Sequence, residues 1–160
     1  MKRAVLLLLV PLLMIGYACD KQDETDTQKP VIDMDFAEAF PRACYTVVAG
    51  EQFVFRARFS DNRELGSFNL ELHQNFDHHS HGSHVETCPM DPVKEPVDPF
   101  YFNQNYSIPE GMEQYEAQIT MDIPEGVDEG DYHFMVKLTD REGWQSWKSV
   151  SLKLIANGGE

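Results

Sequence analysis

Gln52-Phe53-Val54-Phe55-Arg56-Ala57-Arg58-Phe59 carries apolar side chains at its odd positions, and Ser67-Phe68-Asn69-Leu70-Glu71-Leu72-His73 carries them at its even ones. A period of two marks a strand with one buried face. Three more inward sets follow: Tyr115, Ala117, Ile119, Met121 and Ile123; Tyr132, Phe134, Val136 and Leu138; and Val150, Leu152 and Leu154. An opening strand is expected around 31–34, and stretches of helical period are essentially absent. Turn chemistry separates these runs at Ser60-Asp61-Asn62, at 126–130 and at Thr139-Asp140-Arg141-Glu142-Gly143. Strands with one apolar face each must bury those faces against one another. The economical solution is an all-β antiparallel β-sandwich of about six or seven strands.

The pattern fails over 74–114, which holds Pro89, Pro92, Pro96, Pro99 and Pro109. Proline removes a ladder donor, so this stretch is expected as neither helix nor central strand but as a long histidine- and proline-rich insertion. Insertions of that length in a compact domain are usually functional or disordered. Ile-Pro-Glu-Gly occurs at Ile108 and again at Ile123, and reads as reused turn chemistry.

Five of the six histidines fall between His73 and His84: His73, His78, His79, His81 and His84. Neutral imidazole offers a nitrogen lone pair, which makes it the commonest side-chain metal ligand. Asp77 and Glu86 are placed to ligate or to orient an imidazole. His133 enters by strand geometry. If Phe68, Leu70 and Leu72 face inward, His73 faces outward; if Tyr132, Phe134 and Val136 face inward, so does His133 face outward. In an immunoglobulin-like order these are strands C and F, antiparallel neighbours, so the end of one lies beside the start of the other. His73 and His133 are therefore expected to share one corner, completed by Asp77, His78, His79, His81 and His84 from the loop. Histidine with carboxylate suits zinc, while His133 and Met135 on one strand, with Met90 in the loop, suit copper. Calcium prefers oxygen ligands; the Asp61 and Asp140 turns offer these, but each reads more simply as a hairpin turn. A solvated or pH-responsive loop is the plainer alternative. His-Glu-x-x-His is absent and no nucleophilic triad stands in a recognisable context, so an enzyme is not expected.

The N-terminus supplies an address. Met1-Lys2-Arg3 gives a positive start, an apolar run follows over 4–15, and Gly16-Tyr17-Ala18 leads into Cys19. This reads as a secretory signal over 1–18, too short to span a bilayer. A cysteine just after the cleavage point is the acceptor of a lipoprotein's lipid, although Gly16 departs from the usual lipobox leucine; simple secretion is the alternative. Residues 19–29 are polar and acidic and are expected as a disordered tether, leaving 30–156 as one domain. The formal charge of −14 becomes −16 once Lys2 and Arg3 leave with the signal, which disfavours nucleic acid and anionic surfaces as partners. With Cys19 assigned to lipid, Cys44 and Cys88 remain. In an oxidising compartment they read as a disulfide, or Cys88, just beyond the histidines, as a thiolate ligand.

Asn75-Phe76-Asp77-His78-His79-Ser80-His81-Gly82, Asp91-Pro92-Val93-Lys94, Tyr106-Ser107-Ile108-Pro109 and Gly130-Asp131-Tyr132-His133-Phe134 together resemble a family of small Bacteroidetes lipoproteins. Its domain is of unknown function. The resemblance implies an immunoglobulin-like sandwich and a cell-envelope location, and the acidic residues behind Cys19 resemble the surface-export signal of such lipoproteins. The function expected from all this is capture, buffering or delivery of zinc or copper to an outer-membrane transporter by a surface-exposed outer-membrane lipoprotein. The competing class is a surface adhesion or glycan-binding module, for which Phe100, Tyr101, Phe102, Tyr106, Trp144 and Trp147 are the candidate stacking residues.

Overall fold

The computed structural model describes residues 25–80 and 88–158. Cys19, His81, His84 and Glu86 lie outside the described residues. Among the described residues eight strands run in chain order: β1 Val31–Asp33, β2 Tyr45–Val48, β3 Gln52–Ser60, β4 Leu65–Gln74, β5 Phe102–Ser107, β6 Gln114–Asp122, β7 Gly130–Asp140 and β8 Gln145–Ile155. They form two sheets, β1-β3-β6 and β2-β8-β7-β4-β5. The second contains the central C, F and G neighbours of an immunoglobulin sandwich as β4, β7 and β8. Among the described residues no helix is long and apolar enough to cross a membrane.

The alternation places the core where the sequence does. Phe53, Phe55, Ala57 and Phe59 of β3 are buried against Phe68, Leu70 and Leu72 of β4 and Phe134, Val136 and Leu138 of β7. Phe55 meets Phe134 with ring centroids 5.4 Å apart and Phe59 meets Phe68 at 5.1 Å, so aromatic packing joins the two sheets.

Three expectations need correction. The sandwich is not wholly antiparallel, because β2 pairs with β8 in parallel. The stretch 74–114 is not wholly irregular either, since Phe102–Ser107 forms the edge strand β5 between prolines that flank it. Its inner positions, Phe102 and Tyr106, pack on the core while Asn103 and Asn105 face outward and accept hydrogen bonds from Asn69 Nδ2 at 2.8 and 2.9 Å. The tether expected over 19–29 is tied down at its described end: Asp26 is buried, and Trp144 Nε1 donates to its carbonyl at 2.9 Å.

Tyr132, at the start of β7, donates its hydroxyl hydrogen bond to the Asp128 carbonyl at 2.7 Å and accepts one from the Phe100 amide at 3.1 Å. This matches the corner tyrosine of immunoglobulin-like domains, which fastens strand F to the chain just upstream. Burial pushes the phenol up to about 12, so it remains a donor at any physiological pH. Tyr132→Phe leaves both backbone groups without their partner and is expected to cost about 1–3 kcal/mol, read as a lower urea midpoint at unchanged slope.

Candidate metal centre

Two strands and one loop build the histidine corner. His73, near the end of β4, and His133, near the start of β7, are direct register partners, with ring centroids 5.8 Å apart. Beyond β4 the chain stays beside the start of β7. The Asn75 amide donates to the Asp131 carbonyl at 2.7 Å, and Phe76 packs edge-on against Tyr132 at 5.4 Å. Gly130 permits that approach. Its φ is +126°, and a Cβ there would stand 3.1 Å from the Phe76 ring. Lys94 Nζ lies over the Phe76 ring, 4.3 Å from its centroid.

His78 then takes a left-handed conformation, φ 61°, which reverses the chain and returns His79 to the sheet. The His79 ring lies 5.4 Å from that of His73 and 5.3 Å from that of His133. His78 itself donates Nε2–H to the Asp91 carbonyl at 2.9 Å and so latches the loop. The next fastening is a cluster around Asp131, which accepts from the Asp91 amide at 2.7 Å and pairs with Lys153 at 2.7 Å. The Cys44–Cys88 disulfide closes the system, with the two Cα atoms 5.4 Å apart, so Cys88 is a cross-link and not a thiolate ligand.

Protons can be assigned from the partners. Asp77 Oδ1 accepts from His79 Nδ1 at 2.5 Å, and Glu71 Oε1 lies 3.0 Å from His73 Nδ1. The carboxylate hydrogen-bonded to His79 Nδ1 fixes the hydrogen there and leaves that neutral ring's lone pair on Nε2. His73 Nε2 lies 3.3 Å from His79 Nε2, within hydrogen-bond distance, and donates to that lone pair when it carries the hydrogen. His133 has the other tautomer: its Nε2 donates to the His79 carbonyl at 3.0 Å, which leaves the neutral ring's lone pair on Nδ1. The hydrogen bond from His79 holds the Asp77 carboxyl below its ordinary value. A depressed carboxylate contributes to stability above its unfolded value and loses that contribution as pH falls through the folded one.

Of the residues expected from sequence, His73, His79 and His133 come together, Asp77 orients one of them, and His78 is engaged elsewhere. Glu71 was not among the expected site residues; its signal was the spacing of two that puts it on the same strand face as His73. The aromatic set divides differently: Phe100, Phe102 and Tyr106 pack against the core, while Tyr101, Trp144 and Trp147 are exposed.

A family model described as a domain of unknown function (DUF4625) matches residues 17–155. The chain belongs to that family. The DUF4625 match therefore takes in both sheets and the histidine corner. No curated protein matches the sequence. Among solved structures, OgpA from Akkermansia muciniphila is similar at 14% identity and a TM-score of 0.45, covering 79% of this chain and 29% of that one. The sporulation control protein Spo0M from Bacillus subtilis is similar at 10% identity and a TM-score of 0.39, covering 81% of this chain and 49% of that one. This DUF4625 chain thus spans less than half the length of either, and at that level of likeness neither bears on function.

Proposed function

We propose that this protein is a transition-metal-binding lipoprotein of the small Bacteroidetes type, anchored in the outer membrane through Cys19 and exposed at the cell surface. It captures, buffers or delivers zinc, with copper as the second choice, to an outer-membrane transporter. His73 and His79 bind through Nε2, with His133 beside them at ring-centroid distances of 5.8 and 5.3 Å and with Glu71 and Asp77 behind the two rings.

One observation carries this reading. The Nε2 atoms of His73 and His79 stand 3.3 Å apart, within hydrogen-bond reach of each other. Two nitrogens bound to one tetrahedral zinc at about 2.0–2.1 Å are about 3.3–3.4 Å apart. The carboxylates behind the two rings add the outer support that zinc histidines usually have. A glycan-binding reading has less support, because half of its aromatic set is packed on the core.

Isothermal titration of the metal-stripped protein with zinc and with copper tests the proposal. Micromolar or tighter, saturable binding of at least one metal is expected; weaker binding of both would overturn it. Protons compete with metal for imidazole, so affinity is also expected to fall as pH is lowered from about 7.5 to about 5.5.

A further inference from the structure

The opposite end of β7 holds a second convergence of ligand atoms, made only of oxygen. Asp140 closes β7, Asp61 sits in the turn between β3 and β4, and Asp26 precedes β1. One carboxylate oxygen of each lies within 4.8 Å of those of the other two. Asp26 and Asp140 are each only 4% exposed.

Each aspartate uses one oxygen to hold its local chain. Asp26 Oδ1 accepts from the Gln28 amide at 2.9 Å and from Asn62 Nδ2 at 3.0 Å. Asp61 Oδ2 accepts from the amides of Arg63 and Glu64 at 2.9 and 3.0 Å. Asp140 Oδ1 accepts from those of Gly143 and Trp144 at 2.6 and 2.7 Å. The second oxygens, Asp26 Oδ2, Asp61 Oδ1 and Asp140 Oδ2, are all buried and meet no hydrogen-bond donor among the described residues. Buried carboxylate oxygens are normally satisfied, and three such orphans from three remote parts of the chain need a common partner. Arg63 is near enough to act on Asp26, but its guanidinium pairs with Glu142 at 3.9 Å.

We infer that Asp26, Asp61 and Asp140 form a calcium site that fastens the segment before β1 to the end of the sandwich. Calcium takes carboxylate oxygens at about 2.3–2.6 Å, so two oxygens on one ion are at most about 4.6–5.2 Å apart, which accommodates the observed spacing. No imidazole or thiolate belongs to this group, so a hard cation is favoured over the soft metals suited to the histidine corner. The two sites are separate. Asp140 and His133 lie seven residues apart on the same strand, about 23 Å along it.

Terbium titration of the full chain, metal-stripped, provides the test, because the Trp144 indole is hydrogen-bonded to the Asp26 carbonyl and can sensitise a terbium ion bound there. Saturable tryptophan-sensitised emission is expected, displaced by calcium with a dissociation constant on the order of 0.1–1 mM and more weakly by magnesium. Asp61→Asn and Asp140→Asn keep an oxygen for the turn amides but remove a charge, and each should weaken binding at least ~10-fold. His73→Ala should leave it unchanged, so failure here and failure of the zinc site are distinguishable. Circular dichroism confirms folding of each variant, with Asp26→Asn replacing any that unfolds. Emission that calcium does not displace, or that survives in every folded aspartate variant, would overturn the assignment. So would a calcium-independent protein stabilised by acid, since a shared proton would then relieve the three carboxylates.

Discussion

His73→Ala and His79→Ala are each expected to weaken zinc binding by more than the ~10–100-fold that loss of an outer carboxylate costs, while the fold stays intact. Both side chains lie on the outer face of the β2-β8-β7-β4-β5 sheet or in the loop above it, away from the phenylalanine core, so circular dichroism and melting should barely change. The graded series makes the result specific. Asp77→Asn still presents an oxygen to His79 Nδ1 but loses the charge, and should fall in that ~10–100-fold range. His78→Ala gives up only the contact to the Asp91 carbonyl and should lose much less. Titration calorimetry on the four variants reads the order directly. Equal losses for His78→Ala and His73→Ala would mean a diffuse histidine patch in place of a defined site.

Replacing Cys44 and Cys88 with serine is expected to lower stability by about 4 kcal/mol, since the bridge closes a loop with a sequence separation of 44. For a domain of this size that is a fall in melting temperature on the order of 10–20 °C. Differential scanning calorimetry of the double variant against the oxidised protein measures it. A second effect should accompany the first. The histidine loop leaves β4 at one end and is fixed at the other by Cys88 to Cys44, whose amide donates to the Ser151 carbonyl beside His133. Freeing that end adds disorder that metal binding must remove, so zinc affinity should drop with stability. A drop in melting temperature with unchanged affinity would show that the Asp131 and Lys94 contacts suffice to hold the loop.

The long strands were legible because the inward apolar residues of β3, β4, β6, β7 and β8 recur at every second position. The meeting of His73 and His133 was legible for the same reason, since alternation and antiparallel pairing fix which residues share a face. β2 and β5 were not. Of Tyr45–Val48 only Val47 is buried, and the outward side of β5 is an asparagine row whose cross-strand hydrogen bonds have no hydrophobic signature. His79 required knowing how His78 reverses the chain, which backbone strain decides and composition does not. The aspartate convergence was invisible because it joins the lead segment, an inter-sheet turn and a hairpin, and the contact between Trp144 and Asp26 spans 118 positions. Asp26 itself lay in a stretch whose polarity reads as tether.

The pairing of His73 with His133 also gives the molecule a form of proofreading. Leu72 faces the core and His73 does not, so a slip of β4 against β7 by a single residue would drive the imidazole inward and expel the leucine. The same error would break the site and the core together. A chain in the wrong register is thus rejected by its packing before it can present a defective metal centre, and the accuracy of the corner is inherited from the accuracy of folding.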